Sequence, residues 1–402
     1  MHLLRTESRS SDEAEAAIDL GQTPGDIVCL SFSDSDLGAL AACAEARTSA
    51  FSLRLASLAQ LRHPYSIDLY CDGVAARAKF VLVRLLGGLD YWRYGVDELS
   101  RLAREKGFDL AIVPGCHSED PRLDAASTLP VADLRRIWRY FQEGGSANMG
   151  ALLGWVETRL GTPAPWREPA PLPAAGRYAE ACRDGGTAGH AFVTFYRALV
   201  LCGDCAPIVA LADALAARGL RVTALFAASL KDAASIAVLQ QTIAAEKPDV
   251  ILNTTAFSAK LDSGPSVLDS ADAPVLQVIL GGSSEAQWRA NPRGLGPADL
   301  AMNVVLPEMD GRIITTAISG KAESPRNAAL EFTRLIHQPV VSRVTFVADI
   351  AAAWVRLRRA APEDRRIACI LSDYPGRGGR EAYAVGLDTP ASVTSIAESL
   401  RG

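Results

Sequence analysis

The chain has 402 residues, 49% of them apolar and 22% charged, with a formal net charge of -5. That is long for one domain of the usual ~150 residues, and the apolar share excludes wholesale disorder. The slight acidity gives no basic face for nucleic acid, and the longest apolar region, around 191–218, is too interrupted by Arg197, Gly203, Asp204 and Pro207 to span a membrane.

In chain order, 26-DIVCLSFS-33 reads as a strand and 34-DSDLGALAACAEA-46 as a helix that Asp34 or Ser35 can cap. Strand 79-KFVLVRLL-86, helix 96-VDELSRLAREKG-107 and strand 109-DLAIVPG-115 continue the rhythm, which predicts a parallel sheet covered by helices. Two helices follow, 131-VADLRRIWRYFQEGG-145 and 147-ANMGALLGWVETRL-160. Five prolines in 161-GTPAPWREPAPLPAAG-176 mark a linker. The alternation then resumes: strand 191–201, helix 207–219, strand 221–227, helix 232–247, strands 249–255 and 274–282. A last region offers helix 346–360, strand 366–375 and a helix from Thr389. The expected fold class is α/β, with two or more doubly wound, mostly parallel, flavodoxin-like domains plus helical segments. The expected divisions are 1–160, a proline-rich linker 161–186, a second α/β domain 187–325, and a further region 326–402.

The stretch 303-NVVLPEMDGR-312 reads as a strand whose exit carries Glu308 and Asp310, which are either loop solvation or chemistry. In 202-CGDC-205 a CxxC at a helix start is either a redox dithiol or two incidental thiols; no second CxxC supports zinc. The eight cysteines are spread like reduced thiols, and residues 1–16 turn acidic where a leader is apolar, so the expected location is the cytoplasm. No Walker A loop occurs: Gly320-Lys321 is followed by Ala322, and Thr315 stands where the first glycine belongs. The glycine turn 376-GRGG-379 has no further support, and none of the five histidines forms an H-E-x-x-H pair. Chemistry alone leaves an α/β protein of open task.

Longer blocks say more. The segments 84-RLLGGLDYWRYGVDEL-99, 138-WRYFQEGG-145, 251-ILNTTAFSAK-260, 276-LQVILGGSSEAQW-288, 291-NPRGLGPADLAMNVVLPEMDGRIITTAIS-319 and 386-GLDTPAS-392 resemble, in order, the large subunit of cobaltochelatase of the CobN type, related to the magnesium chelatase H subunit. The resemblance covers what looks like that subunit's N-terminal third, so 326–402 would begin its larger body region. It implies ATP-dependent insertion of Co²⁺, as substrate metal, into hydrogenobyrinic acid a,c-diamide during aerobic cobalamin synthesis. It also implies two smaller partner subunits, one an AAA+ ATPase that uses ATP-Mg where this chain has no P-loop. PEMDG resembles the family's Pro-Glu-Leu-Asp/Glu-Gly block, which makes Glu308 the candidate base or transient metal ligand. His337 falls where the family has a histidine and is a second candidate metal ligand. Asn253, Thr254, Thr255 and Gly281 either line the macrocycle or end the sheet. Arg312 is a candidate partner for peripheral carboxylates, with Tyr374 and Asp388 beside a second glycine-bearing loop; Asp310 shapes the turn with Gly311. The family usually has Gly-Asn-Thr-Ala-Pro at 202-CGDCAP-207, so both cysteines look incidental. Two other readings stay open: a non-catalytic docking or gating module, and a thiol–disulfide oxidoreductase.

Overall fold

The computed structural model describes residues 17–116, 118–260, 264–371 and 386–401. Tyr374 and the turn 376–379 lie outside them. The chain forms two compact units, Met1–Val355 and Arg356–Gly402.

In the first unit, β1 (Ile27–Ser31), α1 (Asp34–Glu45), β2 (Leu53–Ser57), α2 (Pro64–Gly73), β3 (Phe80–Leu85), α3 (Arg93–Lys106) and β4 (Asp109–Pro114) build a four-stranded parallel sheet. Its order is β2-β1-β3-β4. Strand side chains alternate between faces, so Ile27 and Cys29 enter one core while Val28 and Leu30 enter the other. Helices α4 (Pro121–Ala126), α5 (Val131–Glu143) and α6 (Ser146–Arg159) follow. Leu134, Ile137 and Phe141 of α5 bury into the first of those cores, as their helical spacing predicts. The cap of α1 is Ser33, whose hydroxyl accepts from Asp36 N at 3.3 Å, rather than Asp34 or Ser35. The β2–α2 unit was not expected from the sequence.

The second sheet comprises β5 (Ala175–Arg177), β6 (Gly189–Tyr196), β7 (Leu220–Ala227), β8 (Val250–Asn253), β9 (Val275–Gly281), β10 (Ile313–Glu323) and β11 (Leu335–Pro339), ordered β11-β10-β9-β8-β6-β7-β5. Its middle is parallel and its two edge strands antiparallel. Helices α7 (Arg197–Cys202), α8 (Ala206–Ala216) and α9 (Ala233–Glu246) lie between these strands. Asp232 caps α9 by accepting from Ser235 N at 2.8 Å. The expected strand 191–201 stops at Tyr196, which pairs with Ala227, the last residue of β7. Beyond it the backbone has no partner strand, and Arg197–Cys202 satisfies itself as a helix.

The proline-rich segment 161–186 supplies β5, and the segment after 325 supplies β11 and α13 (Val341–Arg359). Val344, Val347, Ala348, Ala351 and Val355 of α13 enter the core that also holds Ala191, Val193 and Phe195 of β6. The strap between β10 and β11 crosses to the first sheet. There Leu330 joins the first core, the Glu331 carboxylate accepts from Thr23 N at 2.7 Å, and Arg54 Nη1 donates to Ala329 O at 2.9 Å. No helix among the described residues is long and apolar enough to cross a membrane.

In the second unit, residues 366–371 form no strand, contrary to expectation. α14 (Thr389–Ser399) starts at Asp388, which accepts from Ala391 N at 3.0 Å.

Candidate functional site

Parallel strands gather their following loops at one end, and the order of the second sheet puts its switch point between β6 and β8. Asn253 closes β8 there. Its Oδ1 accepts from Thr194 Oγ1 and Thr255 Oγ1, both at 2.9 Å, and its Nδ2 donates to Gln277 Oε1 at 2.9 Å. Thr254 Oγ1 donates to Thr194 O at 3.0 Å, and Gln277 Nε2 to Thr255 O at 2.9 Å. Asn253, Thr254, Thr255 and Gln277 are all buried. Buried amides and hydroxyls cost stability unless paired, and here they pair with one another. This lattice fixes the exit of β8.

The loop after β8 runs along the connection between β9 and β10. That connection contains α10 (Glu285–Ala290), α11 (Pro297–Leu300), a π-helical turn Ala301–Val305 and α12 (Leu306–Met309). The expected strand at 303–306 is therefore helix. A short apolar run does not separate the two states, and the start signal lay upstream in Gly296-Pro297. Pro307 has no N–H to give to Asn303 O; the wide turn lets Leu306 N donate to Ala301 O instead, so the chain enters the proline without a straight helical ladder.

Glu308 is exposed on this helix, flanked on the outside by Val305 and Met309, which are 52% and 72% exposed. Asp310 turns inward. It accepts from Ser258 Oγ at 2.7 Å and Ala259 N at 2.6 Å, so it holds the β8 loop as well as the turn. Arg312 also points inward: Nη2 donates to Ser266 Oγ at 2.8 Å and lies 3.7 Å from Asp310. Burial pulls its pKa below the ordinary guanidinium value, and Asp269 and Asp310 push it back. Such a buried guanidinium, tied to Ser266 and flanked by Asp310 and Asp269, does not face an outside carboxylate, although its Nη1 has no hydrogen-bond partner.

Gly281 ends β9, where a Cβ would stand 3.2 Å from Ser319 O. Next to it Gly282 N donates to Asp299 Oδ2 at 2.9 Å, and burial raises the Asp299 pKa. A Cβ on Gly320 would meet Ser283 O at 2.4 Å, so this end of β10 needs glycine. Asp299, Gly320 and the Arg343–Trp288 stack at 4.0 Å were missed by the sequence reading; Pro297 was the available signal for a helix bearing Asp299.

His337 sits on β11, opposite Lys321 of β10. Its backbone N donates to Asp204 Oδ1 at 2.9 Å, and its ring Nδ1 lies 3.3 Å from Ser319 Oγ. Burial, with the Lys321 cation beside it, pushes the ring pKa down to about 3, so the imidazole is neutral. Glu308 precedes the first residue of β10, whereas His337 pairs near its end. At ~3.3 Å per paired residue the two are on the order of 20 Å apart along the strand, too far to share one ion. The structure does not bring them together. No group of three His, Cys, Asp or Glu side chains placed to hold a metal occurs among the described residues. Cys202 and Cys205 are free, and burial pushes their thiols up to about 11 and about 12, the reverse of a reactive dithiol.

The CobN/Magnesium Chelatase family model matches residues 138–402. Over its full length the chain is 42% identical to the aerobic cobaltochelatase subunit CobN of Sinorhizobium sp and 38% identical to that of Pseudomonas aeruginosa, and it spans 33% of each. It is 23% identical to the magnesium-chelatase H subunit of Rhodobacter capsulatus, over 82% of this chain and 31% of that protein. The catalytic subunit of cobaltochelatase from Mycobacterium tuberculosis superimposes with a TM-score of 0.76 at 28% identity, covering 93% of this chain and 30% of that one.

Proposed function

Because the chain belongs to the CobN/magnesium chelatase family, we propose that it serves as the tetrapyrrole-binding N-terminal part of an ATP-dependent cobaltochelatase large subunit. The substrates are Co²⁺ and hydrogenobyrinic acid a,c-diamide, and the setting is aerobic cobalamin synthesis in the cytoplasm. Two smaller subunits, one an AAA+ ATPase, bind and hydrolyse ATP-Mg. The family match over 138–402 carries this reading.

A divalent ion entering the ring displaces inner N–H protons, so insertion needs a proton acceptor and weakly held donors that strip water from the ion. Glu308 takes the acceptor role. In support, its exposed carboxylate stands beside apolar Val305 and Met309, a surface suited to a flat ring with a charged rim. His337, with its neutral imidazole, is a competent donor to a borderline metal and acts at a point separate from Glu308. Asn253, Thr254, Thr255, Gly281 and Arg312 shape the wall from behind. Tyr374 lies outside the described residues, and Asp388 caps α14.

Absorbance titration of the chain with hydrogenobyrinic acid a,c-diamide tests the binding. In a full-length large subunit with its partners, Glu308→Gln should leave that titration unchanged and lower cobalt insertion about 100-fold; unchanged insertion removes Glu308 from the mechanism. The chain alone should turn over no ATP.

A second reading, a docking or gating module without chemistry of its own, is favoured by the polar lattice at the switch point, whose amides and hydroxyls pair with one another. A titration without spectral shift would select it.

A further inference from the structure

Two uncommon backbone conformations meet behind the Glu308 surface. Phe257 adopts φ +68, a left-handed region that a bulky side chain rarely enters. Its N–H donates at 2.7 Å to the carbonyl of Met302, which lies inside the π-helical turn. Both features cost stability, and such costs persist only where the surroundings hold them in place. The holding group is Asp310, which is buried yet two residues from exposed Glu308. Its two oxygens grip Ser258 Oγ and Ala259 N, one each. The same loop returns to the helix at its next residue, where Lys260 Nζ donates to Met309 O at 3.3 Å. Arg312 backs the carboxylate at 3.7 Å and is itself tied to Ser266.

We propose that Asp310 is a positioning residue: by clamping the 257–260 loop against the helix, it fixes the outer surface of Val305, Glu308 and Met309 in the geometry that receives the tetrapyrrole. This rests on the functional reading above. A reacting surface on a short helix interrupted by a proline is loose unless a second layer of hydrogen bonds locks it. The β8 loop is that layer here, and its own start is pinned by the Asn253–Gln277 lattice.

The test is the absorbance titration of the intact chain with hydrogenobyrinic acid a,c-diamide, combined with amide hydrogen exchange over 257–260. Asp310→Asn should weaken the titration about tenfold and speed exchange in that loop. Ser258→Ala removes one grip, leaves the Arg312 contact intact and folds; it should weaken binding about threefold, whereas Ser258→Thr keeps the hydroxyl and restores it. A merely structural role would lower the melting temperature, leave binding per folded molecule unchanged and give no Ala/Thr difference in binding. If the native chain titrates and Ser258→Ala titrates equally, this inference is overturned and the functional reading stands. If the native chain gives no shift at all, the functional reading falls and takes this inference with it.

Discussion

The first sheet, β2-β1-β3-β4, and the parallel strands β7-β6-β8-β9 of the second follow the same order but close their switch points differently. In the first, a charge pair does it: Asp36, buried behind Ser33, accepts from Ser31 Oγ at 2.8 Å and from Arg84 Nη1, and Arg84 Nη2 reaches Gly115 O at 3.3 Å. Phe141 covers that guanidinium at 5.0 Å. In the second sheet, neutral amides and hydroxyls fill the same position, with Asn253 at their centre. Open parallel sheets usually bind ligands in this crevice. Here both crevices are occupied by the protein's own side chains. The same topology therefore need not keep the same site, and attention moves to the surface of the β9–β10 connection.

The contrast can be broken most severely on the charged side. Arg84→Met leaves Asp36 buried without its cation and should cost about 3–5 kcal/mol in urea unfolding, while adding Asp36→Leu should recover most of the loss. On the neutral side Asn253→Ala strands Gln277, Thr194 and Thr255 and should cost about 2–3 kcal/mol, with no salt dependence. A response to pH distinguishes the far edge of the second sheet. The His337 ring titrates at about 3 when folded against 6.5 when free, so the unfolded chain binds more protons between those values. Its contribution is present above pH 6.5 and lost as pH falls toward 3, about 2 kcal/mol by pH 5. Asp204 works in the opposite sense, since burial raises its pKa and acidification relieves that penalty. His337→Gln should flatten the decline between pH 6.5 and 5 in thermal melts; an unchanged slope would assign it elsewhere.

Much of the architecture was legible from periodicity. β3 and β4 are near-continuous apolar runs because both faces of a parallel sheet are covered, and α9 announces itself by Asp232 before a long helical pattern. β2 escaped notice because it is five residues long and carries Arg54, whose buried charge is met by the Glu331 carboxylate at 3.3 Å and by Thr23 O and Ala329 O, partners mostly far along the chain. β5 hid in a proline-rich segment, where edge pairing needs few hydrogen bonds. Val304-Val305-Leu306 misled because three apolar neighbours fit a strand as well as a turn of helix. For the candidate site, sequence pointed to Glu308 through the PEMDG block and assigned Asp310 to the turn, whereas its carboxylate reaches Ser258 and Ala259 of the β8 loop. It misplaced Arg312, since a position after a turn says nothing about which way a guanidinium points.

Residue order alone determined the alternation of strand and helix, the missing phosphate loop and the family, because these depend on local pattern and on long ordered blocks of identity. Only tertiary structure decided that Asp310 grips a loop some fifty positions earlier in the chain and that Arg312 is enclosed. It alone set Glu308 before the start of β10 and His337 on β11 beside the far end of β10. Those outcomes depend on which side chains meet through space, and neither spacing nor residue type encodes that distance.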